Sequence, residues 1–166
     1  MPIIRRVDAK DMGTDLEEIL ISEEQMQARL AEMAAEIDKD YQGKRPIVVG
    51  VLKGAVMVVA DLLRKMHTET LMDWMAVSSY GSGTKSSGVV RILKDLDSDI
   101  QGRDVLIVED IIDSGLTLSW LVTNLKARGA ATVQIAAALR KKEAMKADLD
   151  VRYVGFDIPN RSEEHT

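Results

Sequence analysis

VLIVEDIIDSGLT, residues 105–117, decides how this chain folds. Four apolar residues run into two adjacent carboxylates, Glu109 and Asp110, and a third, Asp113, precedes Ser114, Gly115, Leu116 and Thr117. A short unbroken apolar run is the pattern of a strand buried on both faces. After it come an acidic strand end at Glu109–Asp110, a tight loop rich in backbone N–H groups, and a helix that Thr117 opens. A loop feeding a helix N-terminus suits a phosphate, because the first N–H groups lack internal acceptors and the helix dipole is positive there. The carboxylates beside it are placed to act on the rest of a sugar phosphate.

Upstream, Glu18–Ile21 reads as a short strand. Ser22 with Gln25 reads as a capping box, and Met26, Leu30, Met33, Ala34, Ile37 and Tyr41 then recur at helical spacing up to Gly43. Pro46–Leu52, PIVVGVL, is a second buried strand, interrupted by Lys53 and Gly54 before an apolar helix over 55–66. Leu71–Val77 reads as a strand, Ser78–Gly88 as a mobile small-residue loop, and Val89–Leu93 as the returning arm of a hairpin. Downstream, Leu118, Leu121, Val122 and Leu125 line one helical face, Gly129 ends that helix, and Ala131–Leu139 and Val151–Gly155 are further strands. This alternation predicts an α/β fold, a Rossmann-like mostly parallel sheet flanked by helices, in a single domain over 1–166.

Size and composition narrow the function. The 166 residues suit one domain, and a net charge of -5 does not give the broad basic surface of a nucleic-acid binder. The absence of cysteine rules out disulfides and thiolate catalysis. No apolar run reaches the ~20 residues of a membrane span, so no membrane association and a cytoplasmic location are expected. With two histidines, His67 and His165, a histidine-rich metal site cannot be built, and oxygen ligands would favour Mg²⁺ or Mn²⁺. His67 reads as a surface residue, and Trp74 and Trp120 as core packing.

In an open parallel sheet, ligands bind beyond the carboxyl ends of the strands. Leu52, Lys53 and Gly54 follow one predicted strand, Ser78, Ser79 and Tyr80 another, and Glu109, Asp110 and Asp113 a third. Glu109 and Asp110 should point in different directions; one could accept hydrogen bonds from vicinal hydroxyls, and either could bind or orient water on a divalent ion. Alone, the pair would read as solvated loop acids, and Lys53 as a surface lysine. Gly54 lets backbone N–H groups approach an anion. Thr117 could cap the helix or donate to phosphate. No GxxxxGK[ST] sequence supports an ATPase phosphate loop.

These segments together resemble the bacterial hypoxanthine/guanine phosphoribosyltransferases, of the type I phosphoribosyltransferase family, and are most similar to actinobacterial forms. The resemblance rests on GVLKG at 50–54, WMAVSSYGS at 74–82, VVRILKDLD at 89–97, VLIVEDIIDSGLTLSWL at 105–121 and YVGFDIPN at 153–160. It implies transfer of the 5-phosphoribosyl group of phosphoribosyl pyrophosphate to N9 of hypoxanthine or guanine, giving IMP or GMP and pyrophosphate. It further implies that Glu109 and Asp110 face the ribose hydroxyls and Mg²⁺. Asp113 exchanges a proton with purine N7, and Ser114, Gly115, Leu116 and Thr117 hold the 5-phosphate. Leu52, Lys53 and Gly54 meet pyrophosphate, with a cis bond between Leu52 and Lys53. Ser79 and Tyr80 belong to a closing loop. Lys141, with Arg140 beside it, reads the purine O6. A homodimer or homotetramer is implied as well.

Such enzymes continue after GFDIPN with an aromatic residue, a VVGYGLDY-like run and an arginine-bearing segment, where this chain reads Arg161–Thr166. An incomplete hood over the base and a frayed tail at 161–166 are therefore expected. Two other readings stay open: a phosphoribosyltransferase for another base, and a catalytically weak or inactive nucleotide-binding regulator of the same fold.

Overall fold

The computed structural model describes residues 20–80 and 89–160. The first helix, α1 (Glu23–Asp40), begins at the expected capping box: Gln25 N–H donates to Ser22 Oγ at 3.1 Å, and Ser22 N–H donates to Gln25 Oε1 at 2.8 Å. A cap of this kind stabilises a helix by about 1 kcal/mol. Leu30, Met33, Ala34 and Ile37 are buried at i, i+3, i+4 and i+7. Leu20 and Ile21 form a bend, so the described part of the Glu18–Ile21 strand is not one, and Glu18 and Ile19 lie outside the described residues.

The strands β1 (Ile47–Val51), β2 (Leu71–Tyr80), β3 (Val89–Lys94), β4 (Asp104–Ile112), β5 (Thr132–Arg140) and β6 (Tyr153–Asp157) form one sheet in the order β3-β2-β1-β4-β5-β6. Neighbours are parallel except β2 with β3, which form the predicted hairpin. The alternating residues of the buried strands divide between two cores. Val48, Leu106, Val108, Ala136 and Tyr153 pack with α1 and with α2 (Val56–Lys65). Ile47, Val49, Val105, Ile107 and Ile135 pack with α3 (Leu116–Ala127) through Leu118, Leu121 and Leu125. Each fully buried Val, Leu or Ile side chain contributes roughly 1.5–3 kcal/mol, which is why uninterrupted apolar strands settle in the middle of a two-sided sheet. Trp74 packs against the first core and Trp120 against the second, as expected.

Several element boundaries differ from the sequence reading. β4 continues through Glu109 and Asp110 to Ile112, because Ile111 and Ile112 stay in register with Leu139 and Arg140 of β5. β2 runs on to Tyr80: past a bulge between Ala76 and Val77 it leaves β1 and pairs with β3 as a two-stranded ribbon. The ladder thus takes Ser78–Tyr80 out of the predicted loop, whose remainder, 81–88, lies outside the described residues. β6 begins at Tyr153, since Val151 packs into the α3-side core instead of pairing. A short 3-10 helix, Lys142–Ala144, was not foreseen.

Among the described residues no helix is long and apolar enough to cross a membrane. The predicted tail, 161–166, lies outside the described residues.

Candidate active site

β1 and β4 are adjacent, and the chain leaves β1 towards β2 on one side and β4 towards β5 on the other. That is the switch point of an open parallel sheet, where a crevice opens beyond the strand ends. The residues there are Leu52, Lys53 and Gly54 after β1, and Glu109 to Thr117 at the end of β4 and the start of α3. Leu52 N–H donates to Met75 C=O at 2.8 Å, which ties the β1 exit to β2. The Leu52–Lys53 peptide bond is cis, as the resemblance implied. Lys53 is exposed.

Gly54 shows how closely the two loops approach. A Cβ on it would lie 2.5 Å from Asp110 Oδ2, so the Asp110 carboxylate rests directly against the Gly54 backbone. Asp110 also accepts the N–H of Ile111 at 2.8 Å, which fixes its rotamer. Glu109 is the neighbour on the strand, and strand alternation sends it to the opposite face. Burial, followed by the charge of Asp110, pushes the Glu109 carboxyl up from 4.5 to about 8. Both influences oppose ionisation, so the site favours whatever supplies this acid with donors or positive charge. These two acids are not solvated loop residues; they are strand residues, half-buried at the crevice floor.

The loop to α3 differs from the sequence reading in its cap. Gly115, not a side-chain oxygen, stands at the N-cap with φ +76, and Leu116 rather than Thr117 opens the helix. No side chain caps it, and Thr117 is its second residue. Left-handed backbone is costly for any residue with a Cβ, so glycine makes this turn. Ser119 N–H donates to Gly115 C=O at 2.8 Å as the first helical bond, leaving the earlier amides directed outward from the N-terminus. Ser114 Oγ accepts Leu116 N–H at a long 3.4 Å. Behind the loop, Lys146 and Ala147 N–H donate to Ser114 C=O at 2.9 and 3.2 Å, and Met145, Ala147 and Leu149 press on Gly115. The segment after β5 is therefore a buttress for the loop.

Asp113 is half-exposed, with Oδ2 3.6 Å from Lys141 Nζ, while the Lys141 side chain is almost fully buried. Lys141 N–H donates to Ile112 C=O at 2.8 Å, bringing the end of β5 beside the end of β4. Arg140 turns away from this pair and meets Asp157 instead. Ser79 is exposed on the β2–β3 ribbon opposite Val90, and Tyr80 is the last residue of β2. Neither follows a strand end as the sequence reading placed them. His67 is exposed, on the far side of α2, as expected. Sequence reasoning missed the 142–149 buttress, and it missed Asp157; the alignment of the LR and FD dipeptides at two neighbouring strand ends was the available signal.

Comparison with known proteins agrees with this geometry. Residues 17–165 match the phosphoribosyl transferase domain family. A hypoxanthine-guanine phosphoribosyltransferase of Mycobacterium avium is 55% identical over 88% of this chain and 75% of its own length. One from Bacillus subtilis (strain 168) is 49% identical over 90% of this chain and 83% of its own length. The crystal structure of a hypoxanthine phosphoribosyltransferase from Staphylococcus aureus superposes with a TM-score of 0.87 at 43% identity, covering 90% of this chain and 82% of that one. The chain belongs to the phosphoribosyl transferase domain family, and its sheet has the type I fold of those enzymes.

Proposed function

We propose that this chain is a purine-salvage phosphoribosyltransferase, which transfers the 5-phosphoribosyl group of phosphoribosyl pyrophosphate to N9 of hypoxanthine or guanine and yields IMP or GMP with pyrophosphate. The observation that carries the reading is the meeting of Asp110 with Gly54, which brings the end of β4 against the β1 loop, next to the turn into α3. The relatives' names supply the substrate class.

In this reading the amides and hydroxyls of Ser114–Thr117 hold the 5-phosphate, and Glu109 and Asp110 accept the ribose hydroxyls. Lys53 and the Gly54 backbone receive the pyrophosphate. The bond from ribose C1 to pyrophosphate oxygen breaks, the bond from N9 to C1 forms, and Asp113 takes the proton that the purine gives up. Positive charge develops on the sugar as the leaving group gains negative charge, so carboxylates below the ribose and a lysine beside the pyrophosphate favour the transition state. Purine N7 and O6 are neighbouring acceptors on one edge. The side-by-side Asp113 and Lys141 match that edge: the Asp113 carboxylate takes the proton from N7 as N9 attacks, which leaves N7 an acceptor, and Lys141 donates to O6.

Glu109 and Asp110 are hard oxygen donors, and among the described residues the charged neighbour that shifts Glu109 is Asp110 and not a cation, which fits Mg²⁺ shared with ligand oxygens and water. When bound, magnesium supplies charge neutralisation to the leaving pyrophosphate. Among the described residues no three acids or histidines gather into a closed metal cage, consistent with a metal held largely by substrate. Leu52 completes the pyrophosphate loop, and Ser79 and Tyr80 lie at the end of the β2–β3 ribbon. A cytoplasmic location and self-association as a homodimer or homotetramer belong to the same reading; exposed Val56, Met57 and Met72 offer apolar surface for the latter.

Incubation with phosphoribosyl pyrophosphate, Mg²⁺ and labelled hypoxanthine, guanine or xanthine tests it. Pyrophosphate release with IMP or GMP formation is expected. Tight nucleotide binding without turnover would favour a regulator, and turnover of only a pyrimidine or adenine would move the chain to another base.

A further inference from the structure

A lysine amine sits on a flexible four-carbon stem, so its position is only as definite as the backbone that carries it. Lys141 is carried by a short stretch pinned on both sides. Its own N–H donates to Ile112 C=O of β4 at 2.8 Å, and the preceding residue, Arg140, accepts Ile158 N–H at 2.8 Å from the exit of β6. Arg140 and Asp157 are the last registered pair of β5 and β6. Their side chains close that pair with two bonds, Arg140 Nε to Asp157 Oδ1 at 2.6 Å and Arg140 NH2 to Asp157 Oδ2 at 3.0 Å.

We infer that the Arg140–Asp157 fork is a positioning pair for the purine side of the site: it sets the spacing of the β5 and β6 ends and thereby the place of Lys141. The inference rests on the function proposed above, in which Lys141 meets the purine.

The physical case is that a guanidinium and a carboxylate joined by two bonds share one plane and one relative orientation, which a single bond would not impose. The Arg140 side chain is mostly buried, whereas Asp157 is nearly half-exposed. The hydrogen bond to Arg140 leads the causes that hold the Asp157 carboxyl low, with Lys142 a further positive neighbour. Partly exposed ion pairs contribute little to global stability. Small displacements of a binding group, in contrast, have large effects on a reaction that needs aligned atoms. The fork's use is therefore geometric, on one substrate. The sugar-phosphate half of the crevice is built from β1, β4 and α3 and does not include it.

The test is steady-state kinetics and thermal unfolding of the whole chain as Asp157→Asn, as Arg140→Lys and as the double variant. Arg140→Lys keeps the charge and removes only the fork. The Michaelis constant for purine should rise about tenfold in each single variant, while that for phosphoribosyl pyrophosphate stays within about twofold and Tm within about 4 °C. The double variant should be no worse than either single one, because both remove the same contact. A purine constant that does not move, or two substrate constants that rise together with a falling Tm, overturns the inference and leaves a plain strand-end staple. An unsubstituted chain that turns over no purine overturns the functional reading itself, and the inference with it.

Discussion

Asp73 on β2 and Glu109 on β4 are both acids on interior strands, and they titrate in opposite directions. Burial pushes the Asp73 carboxyl up, but the N–H groups of Ser98, Trp74 and Asp97 together outweigh it and hold it below its ordinary value. The distances are 2.9, 2.8 and 3.1 Å. Asp38 is treated alike by His67 and Thr68, in the segment that leads into β2. Glu109 is half-buried, yet among the described residues the one charged neighbour that shifts it is another acid, and it rises to about 8. An acid whose donors come from the chain is complete and structural. An acid that burial and a like charge leave short of donors is set up to receive them from a ligand.

The strongest way to break the functional side of this contrast is at Asp113, the exposed acid beside Lys141 in the candidate site. Asp113→Asn keeps the shape and removes the base. Turnover should fall by roughly 10²–10⁴-fold, while affinity for phosphoribosyl pyrophosphate, measured by calorimetry, stays close to that of the unsubstituted chain. Near-normal turnover would remove Asp113 from the chemistry.

Gly54→Ala probes the candidate site through the backbone. The added Cβ would stand 2.5 Å from Asp110 Oδ2 and 3.0 Å from its Cγ, so the carboxylate must shift. Overpacking of this sort costs about 1–3 kcal/mol, here expected as weaker sugar-phosphate binding by roughly 5- to 150-fold. Gly54 is exposed, so Tm should hardly change. Unaltered affinity would mean that Asp110 can move without consequence and is not a ribose or metal ligand.

Much of this arrangement was readable from local pattern. The capping box at Ser22, the apolar run of β1 and the face of α3 depend on neighbours within a few residues, and all three stand where the pattern put them. What was misread depends on distant partners. The carboxylates of Glu109 and Asp110 look like a strand terminus until β5 supplies register for Ile111 and Ile112. Ser78–Tyr80 look like loop until β3 returns to pair with them. Asp73 carries no local signal, because two of its donors lie 24 and 25 residues away. The acids of the candidate site were found through the loop beside them, but their electrostatic inequality follows from burial, which no short motif displays.

Asp73→Asn tests the structural side of the contrast. The side chain is buried and bridges β2 to the turn before β4. Loss of its charge should lower stability by about 1.5–3 kcal/mol near neutral pH, the range for hydrogen bonds to charged groups. Because the folded value is depressed, the Asp73 contribution is present above the unfolded pKa and is lost as pH falls through the folded one. The two unfolding curves should therefore converge in acid, with substrate constants unchanged for whatever fraction is folded. A difference that persists in strong acid would assign the effect to packing instead of charge.

The smallest expected effect is also the one that reads Glu109 directly. Its folded value of about 8 lies above the ordinary 4.5, so between those limits the folded chain holds a proton that the unfolded chain has released. Stability must then fall as pH rises through that window, by at most about 1.4 kcal/mol per pH unit from this group, and level off above it. The sign is opposite to that for Asp73. Glu109→Gln removes the titration while keeping the shape, so denaturant unfolding from pH 5 to 8.5 should show a shallower decline in the variant and greater stability than the unsubstituted chain at the alkaline end. Parallel curves would show that Glu109 has found its donors within the chain after all. It would then belong with Asp38 and Asp73, and the crevice would lose its claim to an acid held in reserve for a ribose or a cation.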